Sequence, residues 1–141
     1  AKVFSVLKHG GAFARFANHP YIAKDNSELA EEINHLYNRY YHTFYHTEPK
    51  KIQEYSEEQA KELSLIAVKY GFTDIQYALF TRIRPFTAKE YIELLGTYSD
   101  HIAVDEPIRK EFFEKIEEAI YRHGGKLNIY DTIDLQLARK L

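Results

Sequence analysis

Val6-Leu7-Lys8-His9-Gly10-Gly11-Ala12-Phe13-Ala14-Arg15-Phe16-Ala17 is the stretch on which the fold of this chain turns. The residues up to Leu7, starting at Ala1, read as the last turns of a helix. Gly10-Gly11 closes it, because glycine takes the left-handed conformation that ends helices without steric cost. Ala12–Ala17 then reads as a short, nearly all-apolar strand. Helix, glycine stop and strand make one step of an alternating α/β fold. A strand apolar on both faces is expected to be covered on both and to have neighbours on both sides. No Met opens the chain. The expectation is that the chain was processed or that sheet partners are missing upstream.

Downstream, Asn18-His19-Pro20 reads as a loop. Ser27 to Thr47 reads as one long helix, capped by Asp25 or Ser27, with Leu29, Ile33, Leu36, Tyr37, Tyr40 and Phe44 on one apolar face. Ser56-Glu57-Glu58-Gln59 is a capping box that starts a second helix, which Gly71 stops. Ile75 to Ile83 alternates as a strand does, and Pro85 marks its end. Thr87-Ala88-Lys89-Glu90 is a second capping box, opening a short helix through Leu95. Thr97-Tyr98-Ser99-Asp100-His101 reads as a polar turn. Asp105 is expected to cap the last helix, whose buried stripe is Ile108, Phe112, Ile116, Ala119 and Ile120. Gly124-Gly125 closes that helix. Lys126–Lys140 is a long strand with Leu127, Ile129, Ile133, Leu135 and Leu137 on one side. Asp131 interrupts that apolar row, so a bulge is expected near Tyr130-Asp131. The class is α/β, with three strands and four to five helices.

Composition bounds the function. At 141 residues the chain is one domain or a large piece of one. A net charge of −2 shows no basic excess that would point to nucleic acid. No apolar run approaches the length of a membrane span, so no membrane partner is expected. Cys is absent, which excludes disulfides, thiolate metal sites and Cys nucleophiles and fits a cytoplasmic protein. The unusual feature is aromatic: 12 Tyr and 9 Phe, with no Trp and no Met.

Three stretches taken in order resemble class I S-adenosylmethionine-dependent methyltransferases. Val6–Phe13 resembles the turn into the fifth strand of that family, with His9 where Pro is usual. Tyr70-Gly71-Phe72-Thr73-Asp74-Ile75 resembles the turn into the sixth. Thr97–His101, with the Gly124-Gly125 turn and Ala138-Arg139-Lys140, resembles the C-terminal part of a bacterial branch acting on small molecules. The likeness covers essentially the whole chain but only the back half of the family's Rossmann-like fold. It implies a single partial domain, 1–141, with helical cap segments at about 20–55 and 87–123. It implies three mixed strands, the last antiparallel and inserted between the other two. It implies S-adenosylmethionine as cofactor and a small-molecule substrate. The family's Gly-rich cofactor loop and ribose-binding acid have no counterpart in these residues, so no cofactor-binding residue is assigned. The outer edge of Ala12–Ala17 would then pair with the missing N-terminal half, or with a second copy in a homo-oligomer.

Several side chains are candidates for chemistry. His42 and His46 are four apart and can in principle bind a metal, but no carboxylate lies between them. With His35 they read as a solvated polar face, and no metal is expected. Tyr41 and Tyr45 lie off the apolar stripe and read as a substrate cap, or as plain packing. Tyr98, Ser99 and His101 read either as turn chemistry or as a substrate-facing loop, with His101 as general base toward a hydroxyl or amine and Tyr98 orienting it. Arg84, beside Arg82, could hold an anionic substrate or be surface charge. Two functions stay open. One is part of a methyltransferase. The other is a non-catalytic α/β binding or assembly module that uses its aromatic helix as an interface.

Overall fold

The computed structural model describes residues 2–141. The order is α1 (Lys2–Val6), β1 (Ala12–Tyr21), α2 (Ser27–Leu36), a π-helical stretch (Tyr37–His42), α3 (Thr43–Tyr45) and α4 (Glu57–Ser64). A 3₁₀ stretch (Leu65–Tyr70), β2 (Thr73–Thr87), α5 (Ala88–Leu95), α6 (Ser99–Ile102), α7 (Glu106–Arg122) and β3 (Lys126–Arg139) follow. The three strands form one open sheet in the order β1-β3-β2. Cross-strand contacts fix its sense. Ala17 and Asn18 meet Asp134 and Asp131, and Thr73 and Arg82 meet Arg139 and Asp131. Residue numbers fall along β3 as they rise along either neighbour, so β3 is antiparallel to both. The chain divides into two compact units, and each strand contributes residues to both.

The first unit holds the residues up to Pro20, with Glu54–Arg82 and Asp131–Leu141. Its helix α1 ends as its glycines require. Gly10 has φ +76°, and a Cβ on Gly11 would stand 2.8 Å from the Lys8 carbonyl oxygen. Lys140 Nζ donates to the Phe4 and Leu7 carbonyls at 2.7 and 2.8 Å, satisfying orphan acceptors at that helix end. Ala1, read from sequence as part of this helix, lies outside the described residues. The Ser56 capping box forms as its spacing predicts.

Two expectations fail in β1. Asn18-His19-Pro20 belongs to the strand instead of forming a loop. The strand is also not covered on both faces, since Phe16 is 75% exposed. Among the described residues β1 is an edge strand, paired with β3 alone. The cross-strand register places Phe13, Arg15, Ala17 and His19 on one face with Asp134, Gln136 and Ala138. Phe16 lies on the other face with Ile133, Leu135, Leu137 and Phe80, of which Phe80 is 53% exposed.

β3 also departs from expectation. Its burial pattern changes phase at Asp131–Thr132, where two successive side chains are buried. Beyond that point Asp134, Gln136 and Ala138 are the buried residues, and Ile133, Leu135 and Leu137 are half-buried. The side chains keep their alternation, because Arg82–Asp131 and Asp74–Arg139 hold β3 to β2 in one register; what changes along the strand is which face is covered. β2 continues through Pro85 to Thr87. An edge strand tolerates this, because the missing N–H has no ladder partner to lose.

The second unit comprises Tyr21–Gln53 and Ile83–Tyr130. Its core joins Leu29, Ile33 and Tyr40 to Tyr91, Leu95, Phe112, Ile116 and Ile120. Asn26, not Asp25 or Ser27, caps α2: its Oδ1 accepts from the Leu29 N–H at 3.0 Å. Asp25 instead accepts from Asn128 and Tyr130 at 2.7 and 3.2 Å. The Thr87 capping box forms on α5. Asp105 stands at the N-cap of α7 without a side-chain cap bond, and Thr97–His101 is a turn only as far as Tyr98, where α6 begins. Asn26→Ala should lower the stability of this unit by about 1 kcal/mol, read as a shift in the urea midpoint at unchanged slope.

Candidate functional site

The sequence treats Ser27–Thr47 as a regular α-helix, and that fails at Tyr37–His42, which is π-helical. A π turn takes up about one extra residue, so later side chains rotate by roughly 100° from their α-helical directions. His42, placed by α-helical periodicity on a solvated face, is therefore buried, with Nδ1 2.8 Å from Thr47 Oγ1. His35 and His46 are exposed. Among the described residues no group of three or more metal-ligating side chains comes together.

The same rotation brings Tyr41 and Tyr45 to Asp100, on α6. Tyr41 donates its hydroxyl to Asp100 Oδ2 at 2.7 Å, and Tyr45 donates to the Asp100 carbonyl. His101 Nδ1 lies 2.8 Å from Asp100 Oδ1, and His101 Nε2 lies 2.8 Å from the Tyr37 hydroxyl. Burial works against the Asp100 carboxylate, but hydrogen bonds from Tyr41 and His101 outweigh it and hold its pKa below the usual value. Burial, with Asp100 beside it, pushes the Tyr41 phenol up to about 12. Burial also raises Tyr37 well above the ordinary phenol value. An ionised carboxylate only accepts, so His101 donates through Nδ1 and accepts the Tyr37 hydroxyl at Nε2. Both ring nitrogens are occupied, and His101 is only 6% exposed.

The structure thus gathers Tyr41, Tyr45, Tyr98 and His101 around α6, where Ser99 is the exposed first residue. Tyr98 meets the His101 ring at 5.4 Å, centroid to centroid. Arg84 holds its guanidinium 5.5 Å from the Phe86 ring centroid, and its charge reaches the Tyr91 phenol, the hydrogen-bond neighbour of Tyr37. The chemistry available to His101 here is positioning: its buried ring ties Tyr37 to the half-exposed Asp100 carboxylate.

The first unit holds a second cluster, which sequence reasoning missed. Asp134 is buried on β3, with its side chain 2% exposed. Its Oδ1 accepts from the Ala17 N–H at 3.0 Å and lies 3.1 Å from His19 Nε2. Its Oδ2 accepts from Tyr55 at 3.1 Å and from Gln136 Nε2 at 2.9 Å. The His19 and Tyr55 rings stack at 3.6 Å and 3°. Burial again opposes ionisation, but the bonds from His19, Tyr55 and the Ala17 N–H, with attraction to His19, lower the Asp134 pKa. Tyr55 is raised by burial first and by Asp134 second, so it remains a neutral donor. Asp134 and Gln136 gave no distinct signal, because they continue a polar row with Asn128, Tyr130 and Thr132 along the strand.

An apolar cavity of about 290 Å³ adjoins this face of the sheet, lined by Val3, Phe13, Leu63, Ile66, Phe72 and Ala138 among others. No helix among the described residues is long and apolar enough to cross a membrane. No protein-family model matches the chain, and no curated protein matches it.

Proposed function

We propose that this chain is the C-terminal half of a Rossmann-like, S-adenosylmethionine-dependent methyltransferase domain that methylates a small molecule. The observation that carries the reading is the sheet. Two strands run in one direction, and the last strand of the chain lies antiparallel between them, the arrangement that the resemblance at Val6–Phe13 and Tyr70–Ile75 implies. Methyl transfer is an in-line displacement on a sulfonium, so it needs orientation and exclusion of water more than strong acids and bases. The helices of the second unit, with Tyr37, Tyr41 and Tyr45 tied to α6, supply an ordered wall suited to that task.

The test is transfer of labelled methyl groups from S-adenosylmethionine by the full-length gene product, followed across a panel of small alcohols, phenols, amines and thiols. Turnover of one class supports the reading, and none with any acceptor overturns it. The 141-residue chain alone should not bind S-adenosylmethionine, because it carries neither a Gly-rich loop nor a ribose-binding acid of the family's type. Micromolar binding by calorimetry would contradict the assignment of the cofactor site to another part of the protein.

A further inference from the structure

We propose that His19, held by Asp134 and stacked on Tyr55, is the base that accepts the acceptor's proton, so that the methyl acceptor is protic: an alcohol, a phenol or an amine. This rests on the methyltransferase reading and adds to it the class of acceptor and the residue that selects it.

Asp134 on β3 anchors the arrangement. Its carboxylate is buried and meets four donors, the Ala17 N–H, Tyr55 hydroxyl, Gln136 amide and His19 ring. An ionised carboxylate cannot donate, so the neutral His19 ring carries its proton on Nε2. Nδ1 is then a bare lone pair, with no hydrogen-bond partner among the described residues. The His19 side chain is 30% exposed, so this nitrogen belongs to a ring that solvent and ligand can reach. Tyr55, parallel at 3.6 Å, and Asp134 together keep the ring from turning over. A carboxylate behind a histidine fixes its tautomer and stabilises the imidazolium that forms when the other nitrogen takes a proton. His101 also has a carboxylate partner, Asp100, but no unoccupied nitrogen.

Position supports the role. His19 lies two residues from the carboxyl end of β1. In open α/β sheets, ligands bind outside the carboxyl ends of the strands. In the step, a lone pair on the acceptor oxygen or nitrogen forms the new bond to the methyl carbon. The carbon–sulfur bond breaks, and its electron pair stays on sulfur as a neutral thioether. The proton of the acceptor passes to His19 Nδ1, and the imidazolium later returns it to water. The positive charge lost from the sulfonium thus reappears beside Asp134. A thiolate acceptor has no proton to lose and would not need this base.

Two measurements test the assignment. In nitrogen-edited imidazole spectra of the chain, neutral His19 should be the Nε2–H tautomer, and an Nδ1–H tautomer overturns the proposal. In the full-length gene product, His19→Gln keeps a side-chain amide donor near Asp134. It should lower kcat at least about 100-fold with a phenol or primary amine. The KM for S-adenosylmethionine should stay within about twofold in the same comparison, since the base acts on the acceptor's proton and not on cofactor binding. The acidic limb of the pH–rate profile should vanish with the histidine. Wild-type protein inactive on every acceptor overturns the methyltransferase reading itself. Active wild type whose phenol and amine turnover survives His19→Gln, or that turns over only thiols, overturns the base alone.

Discussion

Phe112→Ala should destabilise the second unit by about 3–5 kcal/mol, the cost of truncating a fully enclosed aromatic ring. Phe112 on α7 has no exposed surface. It packs edge-on to Tyr37 at 5.0 Å, stacks on Tyr40 at 5.6 Å and meets Phe113 at 5.9 Å. Its removal leaves a cavity beside the π-helical stretch and takes away the wall behind Tyr37. Total stabilities of domains are about 5–15 kcal/mol, so this single change consumes a large share. Urea unfolding should show the loss as a lower midpoint, and the Tyr37–His101 hydrogen bond should lose its protection from exchange. A loss under about 1 kcal/mol would mean that the ring is not the keystone of this core.

Asp134→Ala should cost the first unit about 3 kcal/mol, because it strands several donors around a buried, emptied position. Gln136 and the Ala17 N–H have no alternative acceptor in the geometry described, whereas His19 and Tyr55 can turn toward water. The same carboxylate sets an acid dependence. Its folded pKa lies below the unfolded value of about 3.9, so its contribution is fully present above that value. The contribution is lost as the pH falls through the lowered folded value. Urea midpoints of the native chain should therefore decline below about pH 4, and Asp134→Ala should flatten that decline. An unchanged acid slope in the variant would show that Asp134 is not the group being protonated.

Local signals were legible wherever the deciding interactions are close in sequence. The Gly10-Gly11 stop, the two capping boxes at Ser56 and Thr87, and the α7 stripe from Phe112 to Ile120 form as read, while Ile108, read as part of that stripe, is exposed. Each depends on bonds or spacings within a turn or two. The errors have a different origin. α-Helical spacing put Tyr41 and Tyr45 off the apolar stripe and His42 in solvent, and a π turn rotated all three inward. Alternation put Ile133, Leu135 and Leu137 on the buried row with Leu127 and Ile129, but beyond Asp131–Thr132 the covered face of the strand is the other one, which buries Asp134 and Gln136.

The candidate chemistry divides along the same line. The cluster around His101 was partly visible because Tyr98, Ser99, Asp100 and His101 are contiguous. The partners Tyr37 and Tyr41 were not, since they come from a helix some 60 residues earlier. His19, Tyr55 and Asp134 were invisible as a set, because 115 residues separate His19 from Asp134.

What the sequence determined by itself is the succession of helices and strands, their stops and caps, and the α/β class, because hydrophobic period and turn chemistry act over a few residues. What only the tertiary structure decided is the strand order β1-β3-β2 and which polar groups are buried together. The reason is physical: a buried carboxylate persists only where several donors converge on it, and those donors come from segments that nothing but the folded sheet brings side by side.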